Sequence, residues 1–167
     1  MKNSTANMWA LTLGLALASS ANAQGPVGKS FCEDLKAVVA DADNDFSHFK
    51  GNQIGDREVD SVGDVTIIFA ALRSLSGATS CTVEDFKSPT SESPLKGYHC
   101  RWAPTGTKSD VVGEVATAAR DCVGGSDMDD LKFYQNDIAD AYIYGGNYEI
   151  NIGSGTAPDV FMSIYHE

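Results

Sequence analysis

The 167-residue chain contains no C-x-x-C pair and no H-x-x-x-H pair. Regular zinc-ligand spacing is therefore missing, and so is the dithiol motif that lowers a thiol pKa for redox catalysis. No G-x-S-x-G marks a serine nucleophile. Basic residues are scarce: 12 Lys and Arg stand against 23 Asp and Glu, a net charge of −11. A nucleic-acid surface needs clustered Lys and Arg, and an anionic membrane surface needs the same, so both are argued against. Beyond the first 23 residues nothing approaches the ~20 apolar residues of a membrane span. There is no internal repeat with matching residues and no long low-complexity tract.

The first 23 residues read as an export signal. Lys2 supplies a positive start, Trp9 to Ala18 a short apolar run, and Ala21-Asn22-Ala23 a small-residue cleavage site. Removing 23 from 167 residues leaves 144, beginning at Gln24, a length that suits one domain (residues 24–167). Lys2 is the only charge removed, so −11 becomes −12. Such acidity favours solubility and leaves room for a basic protein partner. The expected location is periplasmic or secreted.

Four cysteines, Cys32, Cys81, Cys100 and Cys122, lie behind the signal. An even count in an exported chain implies disulfides, and four cysteines allow three pairings. The stretch from Ser74 to Trp102 bears on the choice. Thr79–Phe86 and Lys96–Ala103 read as two strands around a Ser/Pro/Lys-rich turn, each strand holding one cysteine. In the second strand Tyr98, Cys100 and Trp102 alternate with His99 and Arg101, a period of two. Cys81–Cys100 would staple this hairpin on its core face. His99 and Arg101 would face the other way, exposed, and are the candidate recognition residues.

Two helices flank these strands. Phe31 to about Asp45 carries the stripe Phe31, Leu35, Val38, Ala42 and Phe46, with Ser30 and Glu33 as a capping box. Asp110 to about Val123, capped by Ser109, carries Val112, Val115, Ala119 and Cys122 on one face and stops at Gly124-Gly125. Antiparallel packing of the two would bring Cys32 to Cys122. Residues 49–63 are Gly/Asn/Asp-rich and read as a loop with at most a short edge strand. Val65 to about Leu72, Ala141–Tyr144, Tyr148–Ile152 and Val160–Tyr165 read as further strands, with Leu131–Tyr134 ambiguous. The expected fold is a two-layer α+β domain, order α-β-β-β-α-β-β: an antiparallel sheet of five or six strands with two helices on one face.

That order resembles the secretion-chaperone-like α/β fold. The residues Phe31-Cys32-x-x-Leu35, Gly77-Ala78 followed by Cys81, and Tyr98-x-Cys100-x-Trp102 resemble a group of small exported, cysteine-containing bacterial proteins of uncharacterised function. The shared residues specify structure and carry no chemistry.

Candidate chemistry is thin. Asp41-x-Asp43-x-Asp45 resembles the opening of a calcium loop, but the sixth and twelfth positions hold Phe46 and Asn52 in place of Gly and Glu. The solvated end of a helix is the better reading. Gly153-Ser154-Gly155 opens no helix and reads as a hairpin loop, not a phosphate cradle. The histidines are His48, His99 and His166. The aromatics on or beside strands, Tyr142 and Tyr144 among them, are expected mainly in the core; an exposed aromatic face would indicate protein or glycan binding. The sequence therefore points to a non-enzymatic binding module without metal or cofactor. The alternative is a cell-envelope hydrolase using His48 or His99 with nearby carboxylates. That alternative requires a carboxylate and a nucleophile about 3 Å from the histidine, within a cleft.

Overall fold

The computed structural model describes residues 25–58, 63–89, 95–124, 127–128, 132–134 and 137–166. The segment expected to be an export signal (residues 1–23) and residues 90–94 of the expected turn lie outside these. Helix α1 spans Phe31–Ala40, followed by two 3-10 turns at Ala42–Asn44 and Ser47–Phe49. Four strands come next: β1 (Lys50–Glu58), β2 (Val65–Ala71), β3 (Ser80–Lys87) and β4 (Leu95–Trp102). Helix α2 spans Lys108–Val123. Five strands follow it, the short β5 (Asp127–Met128) and β6 (Lys132–Tyr134), then β7 (Ile138–Tyr144), β8 (Tyr148–Ser154) and β9 (Val160–His166).

The class is α+β, with two helices and an antiparallel sheet. The strand count and order differ from expectation. Seven long strands and two short ones form a single sheet in the order β1-β2-β3-β4-β9-β8-β7-β5, with β6 also on β7. Four strands precede α2, not three. The extra one is β1, built from the Gly/Asn/Asp-rich residues that read as a loop. It is a mostly exposed edge strand, so no buried face imposes a period of two on its sequence. Its register against β2 shifts twice, the bulging by which edge strands avoid further pairing.

Helix α1 is shorter than its apolar stripe. The buried Asp41 carboxylate accepts from the His48 N–H at 3.0 Å and from Asn44 Nδ2 at 3.1 Å, so the chain folds back on itself there. Asp45 and Phe46 take left-handed φ values of 55° and 56°. Phe46 still reaches the core and is fully buried. The capping box does not form: Ser30 makes no cap bond, and its Oγ donates to Asp34 Oδ2 at 3.0 Å. In α2 the cap is Thr107, not Ser109, its Oγ1 accepting from the Asp110 N–H at 3.3 Å. Gly124 ends α2 at φ 65°, a left-handed position where glycine carries no Cβ penalty.

Alternation along the strands divides the sheet into two faces. Tyr98, Cys100 and Trp102 of β4 join Val160, Met162 and Ile164 of β9 in one buried cluster under the helices. Phe31 of α1 meets Trp102 edge-on at 6.4 Å, and Tyr98 lies between Phe46 and Phe49. Both disulfides belong to this layer. Cys81 and Cys100 are directly opposed in the β3–β4 ladder and bonded. Cys32, in the first turn of α1, is bonded to Cys122 in the last turn of α2. A polar clip closes the same layer. Asp34 of α1 is buried and accepts from Arg73 Nε at 2.8 Å, Arg73 Nη2 at 2.6 Å, Ser30 Oγ and the Ser76 N–H. The Arg73 carbonyl accepts in turn from the Tyr98 hydroxyl. Burial, reinforced by the Asp34 charge, raises the Tyr98 pKa well above the ordinary phenol value.

Candidate functional site

Among the described residues the second face of the sheet carries no helix. Its rows follow from the register. Thr82 of β3, His99 of β4, Ser163 of β9, Asn151 of β8 and Tyr142 of β7 form one row across five strands. The row to one side holds Ser80, Arg101, Phe161, Gly153 and Asp140; the row to the other holds Glu84, Gly97, Tyr165, Glu149 and Tyr144. Tyr142 and Tyr144, two residues apart on one face, stack with centroids 6.5 Å apart and planes at 11°. The aromatics therefore split: Tyr98, Trp102 and Tyr148 are core, whereas Tyr142, Tyr144 and Tyr165 belong to the open face.

His99 is the centre of this face. It was expected exposed, but its side chain is only 20% accessible. The Tyr165 ring packs edge-on against it at 5.4 Å. His99 Nδ1 shares a hydrogen bond of 2.8 Å with Ser163 Oγ, and Nε2 lies 3.9 Å from Glu84 Oε2. Burial lowers the His99 pKa; the Glu84 charge opposes this, and the Arg57 and Arg101 charges add to it. Burial likewise raises the Tyr165 pKa, against a hydrogen bond with the Ser163 hydroxyl.

A cavity of about 410 Å³ opens beside His99, in the size range of small-molecule sites. Its walls include Arg57 from β1, Arg101 from β4, and Gly155–Asp159 from the β8–β9 connection. A smaller cavity of about 170 Å³, with Thr66, Phe86 and Leu95 in its wall, shares Arg57, Glu84, His99 and Tyr165 with the first. The two make one groove. Arg57 Nη2 lies 3.6 Å from Glu84 Oε2, and Arg101 Nη1 lies 3.6 Å from Asp159 Oδ2.

Two features hold the groove open. Gly97 lies beneath the rings, where an added Cβ would sit 2.6 Å from His99 Nε2 and 3.0 Å from Tyr165 Cε1. Gly97→Ala is expected to push His99 off Ser163 and to cost about 1–3 kcal/mol, as overpacking does. Urea unfolding and the histidine ring resonances check this. The second feature anchors the β8–β9 connection. Lys108 Nζ, at the start of α2, donates to the carbonyls of Gly155 and Ala157. Asp137 accepts from the Lys108 N–H at 2.6 Å and from the Ser109 N–H and hydroxyl at 2.9 and 2.7 Å. Those donors lower the Asp137 pKa, Ser109 most strongly. The folded-state value is thus below the unfolded one, so this stabilisation is complete above the ordinary carboxylate range and lost as pH falls through the lowered value. Melting temperatures measured through the acid range should fall less steeply for Asp137→Asn than for the parent.

The other candidates disperse. His48 bonds to Asp41 but is 75% exposed, and the groove does not include it. His166 pairs with Asp43, and Lys96 with Asp45. The three carboxylates Asp41, Asp43 and Asp45 thus serve different partners and do not converge. Among the described residues no three His, Cys, Asp or Glu side chains gather as metal ligands. Gly153 and Ser154 belong to β8, where Ser154 Oγ accepts from the Ala139 N–H. No described helix is long and apolar enough to cross a membrane.

Ser163 and Arg57 escaped the sequence reading, and Tyr165 was among the aromatics expected mainly in the core. Ser163 and Tyr165 reach His99 through strand pairing 64 and 66 residues away, and Arg57 sits in the segment read as a loop. Compared with known proteins, the chain matches no family model, no curated protein and no solved structure.

Proposed function

We propose that the protein is an exported, disulfide-stabilised binding module, without enzymatic activity, whose recognition surface is the open sheet face around His99 and Arg101. The observation that carries this reading is the groove itself. One face of the sheet is closed by helices, while the other presents a concave surface of mainly polar and charged side chains with the Phe161 and Tyr165 rings among them, of a size that suits a small ligand. Two disulfides suit an oxidising compartment. The periplasm, a basic protein partner for the acidic outer surface, and kinship with small exported cysteine-containing bacterial proteins remain parts of this proposal. The test is capture from envelope extract by the protein and its variants. Ligand retained by His48→Ala but lost by His99→Ala/Arg101→Ala supports the groove; equal retention by both variants removes it.

A hydrolase is the second reading, favoured by one observation: Ser163 Oγ and Glu84 flank His99 in a cleft. Three points weigh against it. The carboxylate stands at 3.9 Å, beyond hydrogen-bond reach. Ser163 sits within β9, which is paired on both sides by β4 and β8. Its neighbouring N–H groups are therefore committed to the ladders, and no pair is left to stabilise an oxyanion. Hydrolysis of ester or peptidoglycan substrates that disappears in both Ser163→Ala and His99→Ala would replace the binding reading with this one.

A further inference from the structure

We infer that the groove binds a small amphiphilic carboxylate, its anionic head between Arg57, His99 and Arg101 and its apolar arm in the side pocket against Phe86 and Leu95. This rests on the binding reading above and names the ligand class for that same site. It also runs against the charge of the whole chain, whose −11 suggests a basic partner.

Arg57 and Arg101 are matched in number by Glu84 and Asp159, so accessibility and not the charge count decides the sign. Three of the chain's few basic or titratable-basic side chains meet at one cavity. Arg57 and Arg101 are each more than half exposed, at 57% and 55%. Among the described residues each pairs with one carboxylate, at 3.6 Å, longer than the 2.7–2.9 Å of a close charged hydrogen bond. A guanidinium has five N–H donors, so most remain for a ligand. The groove's acids are differently placed. Glu84 is 18% exposed and takes the Thr82 hydroxyl on Oε1, with Oε2 turned toward Arg57 and His99. Its acceptors are therefore already engaged by Thr82, Arg57 and His99. Asp159 sits at the rim beside Arg101. Each guanidinium is more exposed than the carboxylate it faces, which favours an anion, and a planar carboxylate matches the guanidinium fork.

The shape fixes the rest of the ligand. The side pocket adjoins the head site through His99 and Tyr165, and Leu95 in its wall is 48% exposed, one of few large apolar side chains left in solvent. Glu84 and Phe86 are successive residues on one strand face, about 7 Å apart. A two-carbon link between a carboxylate and a ring spans that step.

Binding is coupled to protons. His99 faces Glu84 on β3, Arg57 on β1, Arg101 on its own strand, and Ser163 and Tyr165 on β9. The two arginines disfavour its charged form, and a bound anion would offset them. Binding should therefore take up a proton and tighten as pH falls below the ordinary histidine range.

The experiment titrates the intact disulfide-bonded protein with 3-phenylpropanoate, 3-phenylpropanamide and 2-phenylethylamine, followed by calorimetry and by groove resonances. The acid should bind at least about tenfold tighter than the amide and the amine, consistent with charged hydrogen bonds. Arg57→Gln and Arg101→Gln should each weaken it about tenfold, and added salt should weaken it further. If the amide or amine moves the groove resonances as strongly as the acid, the groove binds but the carboxylate assignment is wrong. If none of the three moves them, the carboxylate assignment falls; the binding reading falls with it only if His99→Ala/Arg101→Ala also captures as much as His48→Ala. A pH-independent affinity for the acid removes the role given to His99.

Discussion

Replacing Cys32 and Cys122 together with alanine is expected to destabilise the protein more than any other change considered. The bridge spans 90 residues, and the chain-entropy model assigns about 4–5 kcal/mol to closing a loop of that length. The Cys81–Cys100 bridge spans 19 residues and is assigned about 3 kcal/mol. The second figure is smaller because the shorter loop confines the unfolded chain less. The location of the long bridge adds to its effect. Chain from α1 through α2, including β1 to β4, lies inside its loop. Urea unfolding of the two double variants, with peptide maps confirming the remaining bridge, gives the order. A larger loss for Cys81→Ala/Cys100→Ala would show that hairpin registration, not loop closure, limits stability.

Asp34→Ala is expected to cost about 2–3 kcal/mol, less than the ~3–5 kcal/mol of a fully buried ion pair because the Arg73 side chain is 47% exposed. The variant strands several donors at once: the Arg73 guanidinium, the Ser30 hydroxyl and the Ser76 N–H. It also loosens the backbone that accepts from Tyr98, a core residue. Asp34→Asn keeps the shape and loses the charge, so it should recover about 1 kcal/mol of the loss through neutral hydrogen bonds. Chemical denaturation of both variants tests this. If Asp34→Ala costs less than about 0.5 kcal/mol, the clip is a surface pair of little consequence.

Parts of the fold and site were legible because they depend on local periodicity. The period of two through Tyr98–Trp102 placed Cys100 with the core and His99 with Arg101 on the opposite face, and the structure has them there. The helical stripes placed Cys32 and Cys122 at helix ends facing the core. The missing pieces are non-local. β1 has no buried face and so no alternation to read, yet it delivers Arg57 to the groove. The depth of His99 depends on Tyr165 lying over Gly97, a contact made only when β9 pairs with β4. Phe46 fitted its helical stripe and is buried, but through a left-handed turn rather than a helix, because Asp41 offered the backbone a competing partner.

The sequence by itself determined the α+β class, the positions of the long apolar strands and helices, and the side of the β3–β4 hairpin on which each residue falls. These follow from side-chain spacing, which acts over a few residues. Only the tertiary structure decided that the last strand inserts beside β4, that the polar segment Lys50–Glu58 forms the edge of the sheet, and that Arg57, Glu84, His99 and Ser163 meet at one groove. Those outcomes are choices of strand partner. They are set by burying one continuous face under two helices, and no short window of sequence carries that information.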